Sequence, residues 1–189
     1  MMPNSPLTRF FLIAGVTLAA QAAVLLFFGQ PVICTCGYVK LWEGEVLSSG
    51  TSQHLADWYS FTHVVHGLLF YVLTWLAFPR LPALQRLLIA IGVEAGWEIF
   101  ENTPAVVQAY RKQALAQGYV GDSVLNSISD VFMMATGFLL AWRLPVRIVV
   151  ALGLALEIGL AFAIRDNLTL NLLNFAFPIE AVHRWQAGE

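Results

Sequence analysis

Charge is scarce in this chain: 12% of its 189 residues are Asp, Glu, Lys or Arg, against 58% that are apolar, and the mean hydropathy is +0.69. An ordinary soluble domain, with about a quarter of its residues charged, is excluded by that balance. Neither sign is in excess, the net charge being −2, so the chain as a whole presents no nucleic-acid surface and no strongly basic face for anionic lipid. Also lacking are a serine-nucleophile motif, a phosphate loop and a dinucleotide fingerprint. No internal repeat or low-complexity linker divides residues 1–189, which read as one domain.

What the chain has instead is apolar runs. Five are long enough for about 17 to 25 helical residues to cross roughly 30 Å of hydrocarbon. They fall at about 9–29, 59–79, 84–102, 123–142 and 146–165, which predicts an all-α integral membrane protein of about five transmembrane helices. The run 168–182 is shorter, broken by Pro178 and interspersed with Asn171 and Asn174, as expected of a carboxyl-terminal interfacial or re-entrant segment. Arg9 and the AAQAA at 19–23 leave a cleaved signal peptide open for the first run. The apolar stretch continues through VLLFF, past that cleavage site, which favours a retained anchor.

With five spans, Arg9, Arg80, Arg86, Arg143 and Arg147 all fall on one side, and the positive-inside rule makes that side cytoplasmic. The amino terminus is then inside and the carboxyl terminus periplasmic. At ~1.5 Å of rise per residue, His63 and His66 lie about 6 to 10 Å below the outer end of their helix, and Glu98 and Glu94 about 5 and 10 Å below Glu101. Asn126 and Asp130 follow Asp122 inward by about 6 and 12 Å, and Glu157 lies about 12 Å below Arg165. Polar groups from four helices thus share one layer in the outer half of the membrane.

Angular position agrees with depth. At about 100° per residue, Glu94, Glu98 and Glu101 fall within about 60° on one face, and Asp122, Asn126 and Asp130 within about 80°. His63 and His66, at i and i+3, are about 60° apart. An ionised carboxylate at mid-helix costs about 2.5 to 3.5 kcal/mol on insertion scales, so the acids need protons or a cation.

Two imidazoles one turn apart with carboxylates on facing helices form a ligand mixture used for Zn, Mn or Fe. The metal ligands expected on this basis are His63, His66, Glu94, Glu98 and Asp130, with Glu98 and Asp130 as catalytic groups on water. Glu101, Asp122, Asn126, Glu157, Arg165, Asp166 and Asn171 are the surrounding substrate or supporting residues. A metal-dependent hydrolase would then act on a lipid-linked or periplasmic small molecule, with membrane lipids as neighbours. A proton-sharing or solute-binding cavity, and a hydrogen-bonded structural core, stay open beside it.

Outside this layer, Cys34 and Cys36 in CTCG suit either a disulfide or a soft metal, or are two half-buried thiols. His54 and His183 read as interfacial, able to close over the site, and Gly67, Gly92, Gly96 and Gly137 as points of close helix approach.

The segments WYSFTHVVHGLLFYVL (58–73), EAGWEIFEN (94–102), GDSVLNSISDV (121–131) and IRDNLTLN (164–171), in this order and spacing, resemble a family of small inner-membrane proteins of proteobacteria with a domain of unknown function. The resemblance covers nearly the whole chain. It implies a bacterial inner membrane and a multi-span helical fold, and supplies no reaction. The His-opened helix, and a fourth helix with Asp122, Asn126 and Asp130 that ends in TGF, are similar to the VanZ-like membrane proteins associated with glycopeptide resistance.

Overall fold

The computed structural model describes residues 5–113, 115 and 118–189. Eight helices lie among them: α1 (Pro6–Phe27), α2 (Ser60–Ala77), α3 (Ala83–Glu101), α4 (Pro104–Tyr110), α5 (Val124–Arg143), α6 (Val146–Ile164), α7 (Leu168–Ala176) and α8 (Glu180–Ala187). Among the described residues the β structure is one isolated bridge between Glu43 and Asp57.

Helix starts follow from local chemistry. Pro6 opens α1 behind Ser5, whose hydroxyl accepts the Thr8 N–H at 3.1 Å, and Pro82 and Pro145 precede α3 and α6 in extended conformation. The start of α5 is satisfied twice over. Ser123 Oγ accepts from the Asn126 N–H at 3.1 Å, while the N–H groups of Ser123, Val124 and Leu125 donate to the carbonyls of Ser52, Pro31 and Val32. Those donors have no partner within the helix, so the connection 28–59 becomes a cap for α5 and is held across that end of the bundle.

On α3 the buried residues Leu87, Ala90, Ile91, Glu94, Ala95 and Glu98 recur at helical spacing. The apolar part of this face meets Val131, Met134 and Phe138 of α5, with Phe10, Ala14 and Leu18 of α1 packed alongside. The contact between α2 and α5 is closer still. A Cβ on Gly67 would stand 1.9 Å from the Met134 carbonyl oxygen, and one on Gly137 2.0 Å from that of Val64. The two backbones therefore touch, as small residues permit where helices associate in lipid.

Four helices, α1, α2, α5 and α6, are long and apolar enough to cross a membrane. The five-run expectation is thus met by four helices on length and composition; α3 has the length, but Arg86 and three glutamates break its apolar character. In α1 and α6 only 11% of the apolar window is buried, and Phe11, Val16, Ile158 and Phe162 project outward, as lipid-facing side chains do. Beyond α6 the chain turns at Arg165 (φ 57°), and the run 168–182 forms α7 and the start of α8, with the break at residues 177–179.

Candidate metal centre

Where α3 ends and α2 and α5 begin, the core turns polar. Glu94, with no exposed surface, accepts from both histidines: its Oε1 lies 2.5 Å from His63 Nδ1, and its Oε1 and Oε2 lie 3.1 and 3.0 Å from His66 Nδ1. Glu98 Oε1 stands 3.4 Å from His63 Nδ1, and Asp130 Oδ2 stands 3.9 Å from His63 Nε2. Three helices therefore bring together the five residues expected as ligands: His63, His66, Glu94, Glu98 and Asp130. Among the described residues three sets have ligand atoms within 4.8 Å of one another and could hold a metal ion: His63, His66 and Glu94; His63, Glu98 and Glu101; and, apart from this layer, Cys34, Cys36 and His54.

A second strand of this network escaped the sequence reading. Gln21 of α1, fully buried, donates through Nε2 to Ser127 Oγ at 2.7 Å, and the Ser127 hydroxyl donates to Glu98 Oε2 at 2.7 Å. The polar residue inside AAQAA is thus a strut between α1 and α5. A lone Gln in an apolar helix was the available signal, of the same kind as the glutamates. Buried oxygens remain without a hydrogen-bond partner at Gln21 Oε1, Glu98 Oε1 and Asp130 Oδ1. Such atoms are costly in an apolar interior and mark a place for a proton or cation.

A cavity of about 470 Å³ opens above this cluster. His63, His66 and Asp130 line it, while Glu94 and Glu98 lie behind. Its upper walls carry Glu101, Asp122 and Asp166 with Tyr59, Trp97, Tyr110 and Tyr119, and residues 46–49 and 51–52 also line it. Glu101 Oε1 is 2.7 Å from the Tyr110 hydroxyl, which is 3.2 Å from Asn171 Oδ1. Asp122 accepts from Asn102 Nδ2 at 2.6 Å and from the Tyr119 hydroxyl at 2.9 Å. Asp166 accepts from the Tyr59 hydroxyl and Gln186 Nε2, each at 3.1 Å. Burial pushes Asp122 above the usual carboxylate range against its two hydrogen bonds, and lifts Asp166 to about 6.

Other expected site residues are engaged elsewhere. Asn126 donates through Nδ2 to the His54 carbonyl at 2.9 Å, tying α5 to the connection 28–59. Glu157 accepts from the backbone of Leu168 and Thr169 at 3.1 and 3.0 Å, so it caps α7 and does not join the centre. Arg165 is exposed and donates to the Trp185 carbonyl. Depth alone grouped Glu157 with the others; the short helix that claims it was invisible in the apolar pattern. Cys34 and Cys36 form a disulfide. His54 is buried, stacked on Tyr38 at 5.6 Å, and His183 is exposed on α8.

Residues 25–188 match the family described as Protein of unknown function (DUF2585). A UPF0314 protein of Rhizobium meliloti is 52% identical over 171 residues, covering 90% of this chain and 87% of that one. One from Sphingopyxis alaskensis is 49% identical over 179 residues (94% and 95%), and one from Paracoccus denitrificans 52% over 164 (87% and 85%). No solved structure matches the chain. With this breadth of match, the chain belongs to the DUF2585 family, whose relatives here carry the name UPF0314.

Proposed function

We propose that this is a multi-span inner-membrane protein holding a divalent metal ion, Zn, Mn or Fe, on the cavity side of His63 and His66. The observation that carries it is the placement of Glu94. This carboxylate lies behind the cavity and engages Nδ1 of both imidazoles, while both histidines and Asp130 line the cavity and His63 Nε2 stands 3.9 Å from Asp130 Oδ2. Metal-bound histidines have this arrangement: the far ring nitrogen donates to a carboxylate that fixes tautomer and orientation. With Glu94 and Asp130 ionised and both imidazoles neutral, a divalent ion offsets these two charges and leaves Glu98 as the one further acid.

Such an ion would polarise a substrate oxygen and lower the pKa of a coordinated water. Glu98, held by Ser127 and bearing one unpartnered oxygen, is the carboxylate left over to accept a proton. The reading is therefore of a metal-dependent hydrolase on a lipid-linked or periplasmic small molecule. X-ray absorption on the purified protein tests the centre. Two imidazole nitrogens in the coordination shell are expected; a shell of oxygen alone would remove the histidines. Glu94→Gln should weaken metal affinity about 10–100-fold, as the loss of an orienting partner does.

The direct contacts of Glu94 to both histidines also suit a metal-free, proton-sharing cluster, the second reading. In that case chelation leaves the melting temperature unchanged.

The cavity is assigned to the periplasmic side, with five spans including α3, because Arg80, Arg86, Arg143 and Arg147 lie at the other end. A carboxyl-terminal alkaline phosphatase fusion should be active. An inactive fusion, beside an active cytoplasmic reporter, would reverse the assignment.

A further inference from the structure

Above the candidate metal centre the cavity changes its chemistry. Three carboxylates line this part, Glu101, Asp122 and Asp166, and no Lys or Arg lines the cavity among the described residues. Among the described residues, every hydrogen bond these three acids accept comes from a neutral donor: tyrosine hydroxyls, Asn102, Asn171, Gln186 and the Asn167 backbone N–H. The nearby cations are turned away. Arg111 donates to the Tyr119 carbonyl and Arg165 to that of Trp185, and both are exposed. At the floor, Asp130, 4% exposed, lines the same cavity with one oxygen that has no partner.

The walls between the acids are aromatic. Tyr110 and Tyr119 stand edge to face at 5.6 Å, both hydroxyls bonded to acids of the cluster, and Trp97 lines the cavity near His66. Carboxylates beside aromatic rings, with no Lys or Arg among the described lining residues, form a receptor for an organic cation: the acids supply charge and the rings supply the quadrupole. The same lining repels a phosphate or carboxylate group. At about 470 Å³ the space is larger than a metal with its waters needs and suits a small organic ligand.

We propose that the upper cavity binds an organic ammonium group, primary or quaternary, between Glu101, Asp122 and Asp166 and the Trp97, Tyr110 and Tyr119 wall. The group could belong to a free amine or to the headgroup of an aminophospholipid, which share this chemistry. The assignment shares its cavity with the proposed metal centre but does not require the metal.

The test is a titration of the purified full chain in detergent, followed by tryptophan fluorescence and calorimetry, with choline and ethanolamine as probes. The tert-butyl analogue of choline is the neutral control and inorganic phosphate the anionic one. Each titration is run before and after chelation. At least one ammonium probe should bind at least tenfold more tightly than the neutral isostere, and phosphate should show no saturable binding in chelated protein. Glu101→Gln combined with Asp166→Asn should weaken the ammonium probe at least tenfold in chelated protein that still melts cooperatively. If the double variant fails to fold, Tyr110→Phe replaces it, with a smaller loss of affinity expected. Ammonium binding that survives chelation upholds this proposal even where no metal is found, so the two readings fail separately. In nanodiscs, phosphatidylethanolamine that competes with the free probe, where phosphatidylglycerol does not, identifies a lipid headgroup; no competition identifies a free amine. Equal affinity for the neutral isostere, or no saturable binding of either amine at millimolar concentration, overturns the proposal.

Discussion

Helices α3 and α6 have the same length, 19 residues each, and both carry glutamate deep in an apolar run, yet they handle it in opposite ways. Glu157 of α6 finds the start of α7. The N–H groups of Leu168 and Thr169 and the Thr169 hydroxyl, at 3.1, 3.0 and 2.6 Å, hold its carboxylate. These are the unpaired donors of a helix N-terminus, where negative charge is favoured without any cation. Glu94 and Glu98 have no such donors. Imidazoles and one serine surround them, and Glu98 Oε1, 3.4 Å from His63 Nδ1, accepts no hydrogen bond from the described residues. A buried glutamate in an apolar helix is thus two different signals, and what separates them is whether backbone donors answer it.

The largest break in this comparison should come from Glu94→Ala. Removing the acceptor shared by two buried imidazoles should destabilise the protein by about 3–5 kcal/mol, seen as a lower denaturation midpoint. Metal content should fall with it.

Next in size is the pH response of the α6–α7 junction. Asp166 rises from an ordinary 3.8 to about 6 because burial outweighs its hydrogen bonds from the Asn167 N–H, Tyr59, Asn171 and Gln186. Its protonated form is the one that the fold prefers, so stability is full below about pH 4 and is lost as pH rises through about 6, by at most about 3 kcal/mol. Melting curves across that window should show the decline, and Asp166→Asn should flatten it.

A smaller loss, about 1–2 kcal/mol, is expected for Glu157→Ala, the size of a missing helix cap. Amide exchange at Leu168 and Thr169 should speed up while metal content stays at the wild-type level; a fall in metal would mean that the two helices do not differ as argued. Least affected should be Glu101→Gln, within about 0.5 kcal/mol, since this residue is half-buried at the helix end and Gln keeps an acceptor for the Tyr110 hydroxyl.

The polar layer was legible because α2, α3 and α5 are regular. Rise and rotation per residue are fixed in a helix, so the sequence alone places His63, Glu94 and Asp130 at matched depth. The same arithmetic misassigned Glu157, since it knows a residue's depth but not its neighbours, and α7 offered only nine residues of pattern. Gln21 was missed although a lone amide in an apolar helix also demands a partner, and Ser127 because a small hydroxyl costs too little to stand out. The connection 28–59 has no period to read, yet it caps α5 and supplies part of the cavity wall.

Metal content and chelator response together test the central claim most directly, measured on wild type, His63→Ala with His66→Ala, and Glu157→Gln. One divalent ion per chain is predicted in wild type and in Glu157→Gln, with EDTA lowering the melting temperature of both. The double histidine variant should hold no metal and should melt at the same temperature with and without EDTA. Equal metal in all three proteins, or identical chelator responses, would contradict the account and leave a proton-sharing cluster in its place.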